Sequence, residues 1–317
     1  MLLLPILRQR GQRSKVPPSA VESPLGISPD DDDNAARKRP QLLAYEELPD
    51  WHQDNECIRQ GYRAVSNSSC ACFASWSYLH NETVNIYTHL IPAIFILITA
   101  SLAYGYLQIA YPAATATDRL IFAFFFLAAA TCLALSALYH TLLNHSQYVS
   151  GLWLRLDFLG IIILTLGKFI SGVYVAFYCE PFLYRTYWTM ITTLGTITMA
   201  IVVNPRFQGR RWRTFRALAF IATGLSGFVP VLHGIFKFGF TPALRRSGLG
   251  YYLAEGVLLM LGAFFYTTRI PESLRPGKFD VFFSSHQIFH ILVVLAATVH
   301  LLGILSAFDY HYVHQVC

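Results

Sequence analysis

Apolar residues along this chain gather into seven long runs, at roughly 84–107, 119–139, 153–176, 186–203, 215–237, 249–268 and 285–307. Each run is close to the roughly 20 residues that carry a helix across about 30 Å of hydrocarbon. A backbone in lipid must satisfy its own hydrogen bonds, which leaves helices or closed barrels, and runs this long and uniformly apolar predict helices. The connections are short, so the expected fold is an all-α membrane protein, a single seven-transmembrane helix bundle over residues 84–307. Ahead of it, residues 1–40 are poor in aromatics, rich in Pro, Ser, Arg and Asp, and carry the acidic run Asp30–Asp33. Such a segment cannot bury a core and reads as a disordered tail. Residues 41–83 regain aromatics and turn formers and read as an ordered cytosolic juxtamembrane segment, and residues 308–317 as a short C-terminal tail.

Composition agrees with this division. Hydrophobic residues make up 54% of the 317 and charged residues only 13%, against about a quarter in soluble domains. A large soluble domain is excluded, and nothing suggests a nucleic-acid partner. The opening "MLLLPILRQR" is too short in its apolar part for a cleaved secretory signal, so the first span is expected to serve as the targeting signal. The six cysteines show no disulfide framework. Cys70 and Cys72 form an isolated C-x-C that reads as two ordinary thiols, and Cys317 is too close to the end for a prenylation box.

Charge in the connections sets the orientation. With the N-terminus inside, the inner connections and their flanks carry Arg155, the five arginines of "RFQGRRWRTFR" at 206–216, and Arg269, Arg275 and Lys278. The outer connections carry Arg119, Arg185, Arg245 and Arg246. The positive-inside rule therefore predicts a cytosolic N-terminus and an external C-terminus in an integral multi-pass protein of the plasma membrane or endoplasmic reticulum.

In that orientation five polar residues from three spans share one depth near the inner face: Ser136 and His140 on span two, Asp157 on span three, His286 and His290 on span seven. Residues four apart lie on one helix face, so His286 and His290 can aim at one point while His140 reaches it from another helix. An isolated H-x-x-x-H is more simply a helix start that meets headgroups. Convergence with the other three residues favours a metal. Three His ligands with an open position form a catalytic zinc site, where zinc activates water. Gln287 stands where a soluble zinc protease has its glutamate base, so the carboxylate must be Asp157, with Ser136 bonding water or a substrate oxygen. Two histidines and a carboxylate also make the facial triad of non-haem iron, but three histidines favour zinc.

Other polar residues invite plainer readings. Lys168 and Glu255 are intramembrane, opposite in charge, and candidates for an ion pair. His89, His233 and His300 are expected to be satisfied within the bundle, and Gly160, Gly167 and Gly172 to permit close helix packing.

The segments "ELPDWHQDNECIRQGYR", "HNETVNIYTHLIPA", "SALYH", "LDFLGI" and "PESLRPGKFDVFFSSHQIFHILVV", in this order, resemble the progestin and adipoQ receptor family, related to bacterial hemolysin III. The similarity runs over about residues 45–310 and looks strongest to fungal members. The resemblance implies a seven-helix bundle with a cytosolic N-terminus and a zinc ion near the inner leaflet. Its metal histidines match His140, His286 and His290, and its aspartate and serine match Asp157 and Ser136. It further implies receptors with ceramidase activity in mammals and roles in zinc and lipid homeostasis in fungi.

Two functions follow as expectations. One is a zinc-dependent amide hydrolase of a ceramide-like membrane lipid. The other is a receptor or zinc-responsive sensor whose metal is structural and which answers an extracellular ligand. A pore is a weaker third reading, because the polar cluster occupies one end of the bundle and forms no continuous track. Both leading readings admit a second copy of the chain as partner.

Overall fold

Hydroxyl caps decide where several helices begin. Thr115 accepts from the Asp118 backbone N–H while the Asp118 carboxylate accepts from the Thr115 N–H, a closed capping box that opens span two. Ser146 accepts from the Val149 N–H and opens span three at Gln147. The computed structural model describes residues 41–314, the side chain of Arg210 excepted. The tail expected over residues 1–40, with its acidic run, and Cys317 lie outside the described residues.

Among the described residues, seven helices are long and apolar enough to cross a membrane: Thr83–Ala110, Ala116–Leu142, Gln147–Ala176, Pro181–Val203, Arg213–Phe238, Leu249–Thr268 and Ser285–His314. They are spans one to seven below. Several outrun their apolar cores. Span three starts earlier than hydropathy suggests because Ser146 caps it, so Asp157 lies about three turns inside the helix and not in its first turns. Span seven stays helical to His314, where a tail was expected from residue 308. Its polar-looking end is packed inward: Phe308 and His311 are buried, and His311 Nε2 donates to the Val175 carbonyl (2.9 Å). Span five is two helices, Arg213–Leu225 and Phe228–Phe238, broken at Ser226–Gly227.

Spans one to four pack in sequence, six packs on seven, and seven closes against one and three. Gly167 lets spans two and three approach closely, since a Cβ there would stand 2.6 Å from that of Ala128. Large apolar side chains such as Ile91, Phe95, Leu102, Met260 and Phe264 face outward, a belt suited to lipid. Cys179, at the end of span three remote from His286, is disulfide-bonded, contrary to the expectation of no disulfides. Cys57, Cys70, Cys72 and Cys132 are free.

The segment from residue 41 to 82 forms a cap knitted to the other end of the bundle. Asp280, in the loop before span seven, accepts from the Arg59 and Gln60 N–H groups (3.0 Å each). Glu272 accepts from the Ser285 N–H (2.7 Å) and from Asn55 (3.2 Å), which sets a carboxylate at the positive start of span seven. Arg63 is buried and its guanidinium donates to the His140 carbonyl (2.6 Å), the Thr141 carbonyl (2.9 Å) and the Ser75 hydroxyl (2.8 Å). It thereby serves carbonyls that the end of span two would otherwise leave unpaired.

Two cap histidines give this segment a pH dependence. Burial above all pushes His52 and His80 down to about 4, from an ordinary value near 6.5. The unfolded cap therefore binds more protons than the folded one between those values. Its stability is fully present above about pH 6.5 and is lost as pH falls from there towards 4. In chelator-treated protein, backbone hydrogen exchange over residues 41–82, corrected for intrinsic rate, should be faster at pH 5 than at pH 7.5. Equal protection at both values would mean the rings are not held neutral by burial.

Candidate metal centre

The end of span two and the start of span seven meet at three imidazoles. His140 lies in the last turn of span two, its backbone held by Arg63, and His286 and His290 occupy the first two turns of span seven. Gln287, between them, accepts from the Ser284 N–H (3.3 Å) and so stabilises the helix start. The Nε2 atoms of His286 and His140 are 3.3 Å apart, and those of His290 and His286 are 3.2 Å apart. One ring nitrogen from each of the three histidines falls within 4.8 Å of the others, a grouping that could hold a metal ion.

Hydrogen bonding on the far sides of the rings fixes what faces inward. His290 Nδ1 lies 3.2 Å from the Asn85 carbonyl, which can only accept, so Nδ1 carries the proton and Nε2 presents a lone pair. His140 Nδ1 donates to the Glu82 carboxylate at 2.7 Å, so the neutral form of the ring presents Nε2 as a lone pair as well. Burial pushes the Glu82 carboxyl up, but the His140 ring, the Asn85 amide and the Arg63 guanidinium outweigh it and hold the group well below the usual carboxylate range. Two lone pairs thus converge on His286 Nε2, which can offer at most one proton. Nitrogens 2.0–2.1 Å from a tetrahedral cation stand about 3.3–3.4 Å apart, close to the spacings found here. The donor set fits a cation.

Ser136 and Asp157 line the same cavity as the three histidines. Their side chains interact, and Asp157 lies within electrostatic reach of His140. The cavity has a volume of ≈ 1520 Å³, above the roughly 300–1,000 Å³ of ordinary small-molecule pockets. Its wall is mostly apolar and extends along the bundle past Phe158, Phe220 and Val293 to Phe238. The five residues singled out from sequence therefore share one chamber, with the three histidines in direct contact.

Sequence reasoning passed over a second ring of residues. Glu82, Asn85 and His89 recur at spacings of three and four, which puts them on one face at the start of span one. That face meets the cluster. The Glu82 carboxylate and the Asn85 backbone carbonyl bond His140 and His290 from behind, and His89 stacks on His290 with centroids 3.7 Å apart. His233 is satisfied by the Tyr187 hydroxyl (2.7 Å), and His300 bonds through both nitrogens. His89 departs from the expectation, since both its ring nitrogens are buried without a hydrogen-bond partner among the described residues. The helical spacing was the available signal, but it sits half outside the apolar run.

Comparison with known proteins agrees with the architecture. Residues 77–301 match the family described as Haemolysin-III related. Among similar proteins, the ADIPOR-like receptor IZH2 of Saccharomyces cerevisiae is 35% identical, over 85% of this chain and 84% of its own length. The ADIPOR-like receptor IZH1 of Eremothecium gossypii is 39% identical, over 84% of this chain and 85% of its own. The adiponectin receptor protein of Drosophila melanogaster is 36% identical, over 87% of this chain and 62% of its own.

A carboxylate behind a metal-binding histidine fixes its tautomer and raises its basicity, and losing it typically costs 10–100-fold in metal affinity. Glu82→Gln should weaken metal binding by about 10–100-fold in competition with a chromogenic chelator, whereas His140→Ala should abolish it. Unchanged affinity in Glu82→Gln would reduce that bond to a packing role.

Proposed function

The chain belongs to the haemolysin-III-related family and is an adiponectin-receptor-like seven-helix membrane protein, and from that premise we propose that it is a zinc-dependent amide hydrolase of membrane lipids, with a ceramide-like substrate. In this reading the N-terminus is cytosolic and the histidine cluster lies near the inner leaflet. The arginine-rich inner connections support that orientation. So does the bridged Cys179 at the opposite end of the bundle, since disulfides belong to oxidising compartments. His140, His286 and His290 are the ligands. Three imidazoles suit zinc better than iron, which favours a carboxylate in the set.

One observation carries the hydrolase reading. The histidine cluster opens onto a large, mainly apolar cavity whose wall holds a buried carboxylate, Asp157, and its partner Ser136. A metal that only tied helices together would need neither the chamber nor the carboxylate. Zinc held there supplies Lewis acidity towards an amide carbonyl and towards water. Asp157 takes the proton of the attacking water and returns it to the leaving amine nitrogen, so that cleavage yields a fatty acid and a sphingoid base. Ser136 orients that carboxylate. The apolar walls take up the acyl chain and keep bulk water from the site.

The receptor reading retains one specific support, the receptor names carried by the relatives. In that case the metal ties spans two and seven together and Asp157 is dispensable. The two readings part in purified protein in lipid nanodiscs, assayed for bound zinc and for fatty acid released from ceramide. Asp157→Asn should keep its zinc and lose about 10²–10⁴-fold in turnover. Full ceramide hydrolysis by that variant would remove Asp157 from the chemistry. Zinc in both proteins with turnover in neither would move the assignment to a structural metal in a receptor.

A further inference from the structure

A second polar group interrupts the cavity wall well away from the histidine cluster. Lys168 Nζ of span three stands 3.0 Å from Glu255 Oε1 of span six, and His300 Nδ1 of span seven stands 2.7 Å from Glu255 Oε2. His300 Nε2 in turn lies 3.0 Å from the Ser171 hydroxyl. Lys168, Glu255 and His300 all line the cavity, together with Tyr252. Ten residues of helix separate His290 from His300, so the two polar groups lie about 15 Å apart along the bundle. Leu164, Phe289 and Val293 are among the apolar side chains lining the cavity.

Ser171, His300 and Glu255 have the connectivity of a nucleophile–base–acid relay, but the geometry argues against that use. Ser171 is fully buried, and its hydroxyl donates backward to the Gly167 carbonyl at 2.7 Å. It offers nothing to the cavity.

The lining residues Lys168 and Tyr252 hold unspent hydrogen-bonding capacity. An ammonium has three N–H donors, and Glu255 is the one charged partner of Lys168 among the described residues. The Tyr252 hydroxyl is buried with no hydrogen-bond partner among the described residues. Gly172 allows this arrangement, because a Cβ there would meet the His300 ring at 3.2 Å and the Tyr252 ring at 3.4 Å. Buried donors without acceptors are costly and call for an acceptor from elsewhere. A carboxylate is the wrong one, since it would face Glu255 with a single Lys between two negative charges. A hydroxyl accepts from Lys168 or Tyr252 and can donate to Glu255.

We infer that Lys168 and Tyr252 form a second polar subsite, which binds a hydroxyl carried on the hydrocarbon chain of the lipid ligand about 15 Å from the histidine cluster. This rests on the reading of the cavity as a lipid site. It makes the cavity selective for chains that bear an oxygen at that depth.

The test is calorimetric titration of the full chain in nanodiscs with lauric acid and with ω-hydroxylauric acid, whose terminal oxygen reaches about that far. Binding is read directly, so hydrolysis is not required. The wild type should bind the hydroxylated acid about tenfold more tightly, equivalent to about 1.4 kcal/mol. Tyr252→Phe, which removes one oxygen, should lose most of that preference and keep its affinity for lauric acid. Lys168→Met combined with Glu255→Gln, which leaves no lone buried charge, should lose it too. A hydroxyl without partners in an apolar chamber binds more weakly than a methyl, so equal or inverted affinities in the wild type would overturn the subsite and assign the donors to water. A preference undiminished in both variants would overturn it as well. If neither acid binds the wild type, the lipid reading of the cavity fails, and the subsite with it.

Discussion

Two of the three clustered histidines face inward as bases only because their outer nitrogens are already engaged. Glu82 holds the Nδ1 proton of His140, and the Asn85 carbonyl holds that of His290. Without those bonds either ring could present an N–H to its neighbours, and the Nε2 atoms of His140 and His290, 3.3 and 3.2 Å from that of His286, would settle into ordinary hydrogen bonds. The site therefore depends on the start of span one, which supplies none of the three imidazoles. That start is fixed in turn by the cap. Arg63 reaches 77 residues along the chain to the His140 carbonyl and also supports the Glu82 charge. Removing the cap would disturb the histidines from both sides at once, through the backbone of span two and through the tautomer of His140.

The same logic of buried polar groups divides the cavity. At one end the polar side chains meet one another's needs on their outer faces and leave lone pairs pointing inward. About 15 Å further along, Lys168, Glu255 and His300 neutralise one another and leave donors pointing inward. A hydrocarbon chain suits the apolar wall between them, and its polar ends suit what each group lacks. Charged residues in a membrane bundle are expensive unless paired. Here the pairing is complete for charge and incomplete for hydrogen bonds, and the incompleteness faces the chamber in both places.

Much of this was legible in the sequence, for identifiable reasons. The spans announced themselves because hydropathy over about 20 residues is a strong signal. The clustered residues announced themselves because His286 and His290 sit at helical spacing and His140 and Asp157 fall at matching depth. Glu82 stayed hidden, and His89 reads only as a satisfied bundle residue, because their stripe begins before the apolar run, where hydropathy gives no face to read. Arg63 could not be found, since its partners are backbone carbonyls, which carry no residue identity. Span lengths were misjudged wherever a cap or a tertiary contact extended a helix past its apolar core, as Ser146 does for span three and the buried Phe308 and His311 do for span seven. The Lys168–Glu255 pair was visible as two opposite charges, but its link to His300 depends on the rotation of span seven, which one sequence does not encode locally.

The placement of rigid and yielding parts bears on how a lipid enters. The clustered polar groups sit on spans one, two, three and seven, and spans two, three and seven share the buried aromatic core of Phe122, Phe125, Tyr174 and Phe308. Span five also lines the cavity; it carries none of the clustered histidines or their partners, is broken at Ser226–Gly227 and, like span one, is little buried within the protein. A Cβ at Gly227 would stand 2.8 Å from the Phe169 ring, so the break lies directly against span three. Regions with few buried contacts are the ones that open at low free-energy cost. A chain entering beside span five displaces lipid-facing surface and leaves the histidine geometry untouched. Entry beside span two or seven would pull apart the helices that carry His140 and His290. If the chain is the proposed lipid hydrolase, the fold keeps the precision of the site on the helices that carry the histidines and leaves compliance to the broken span five.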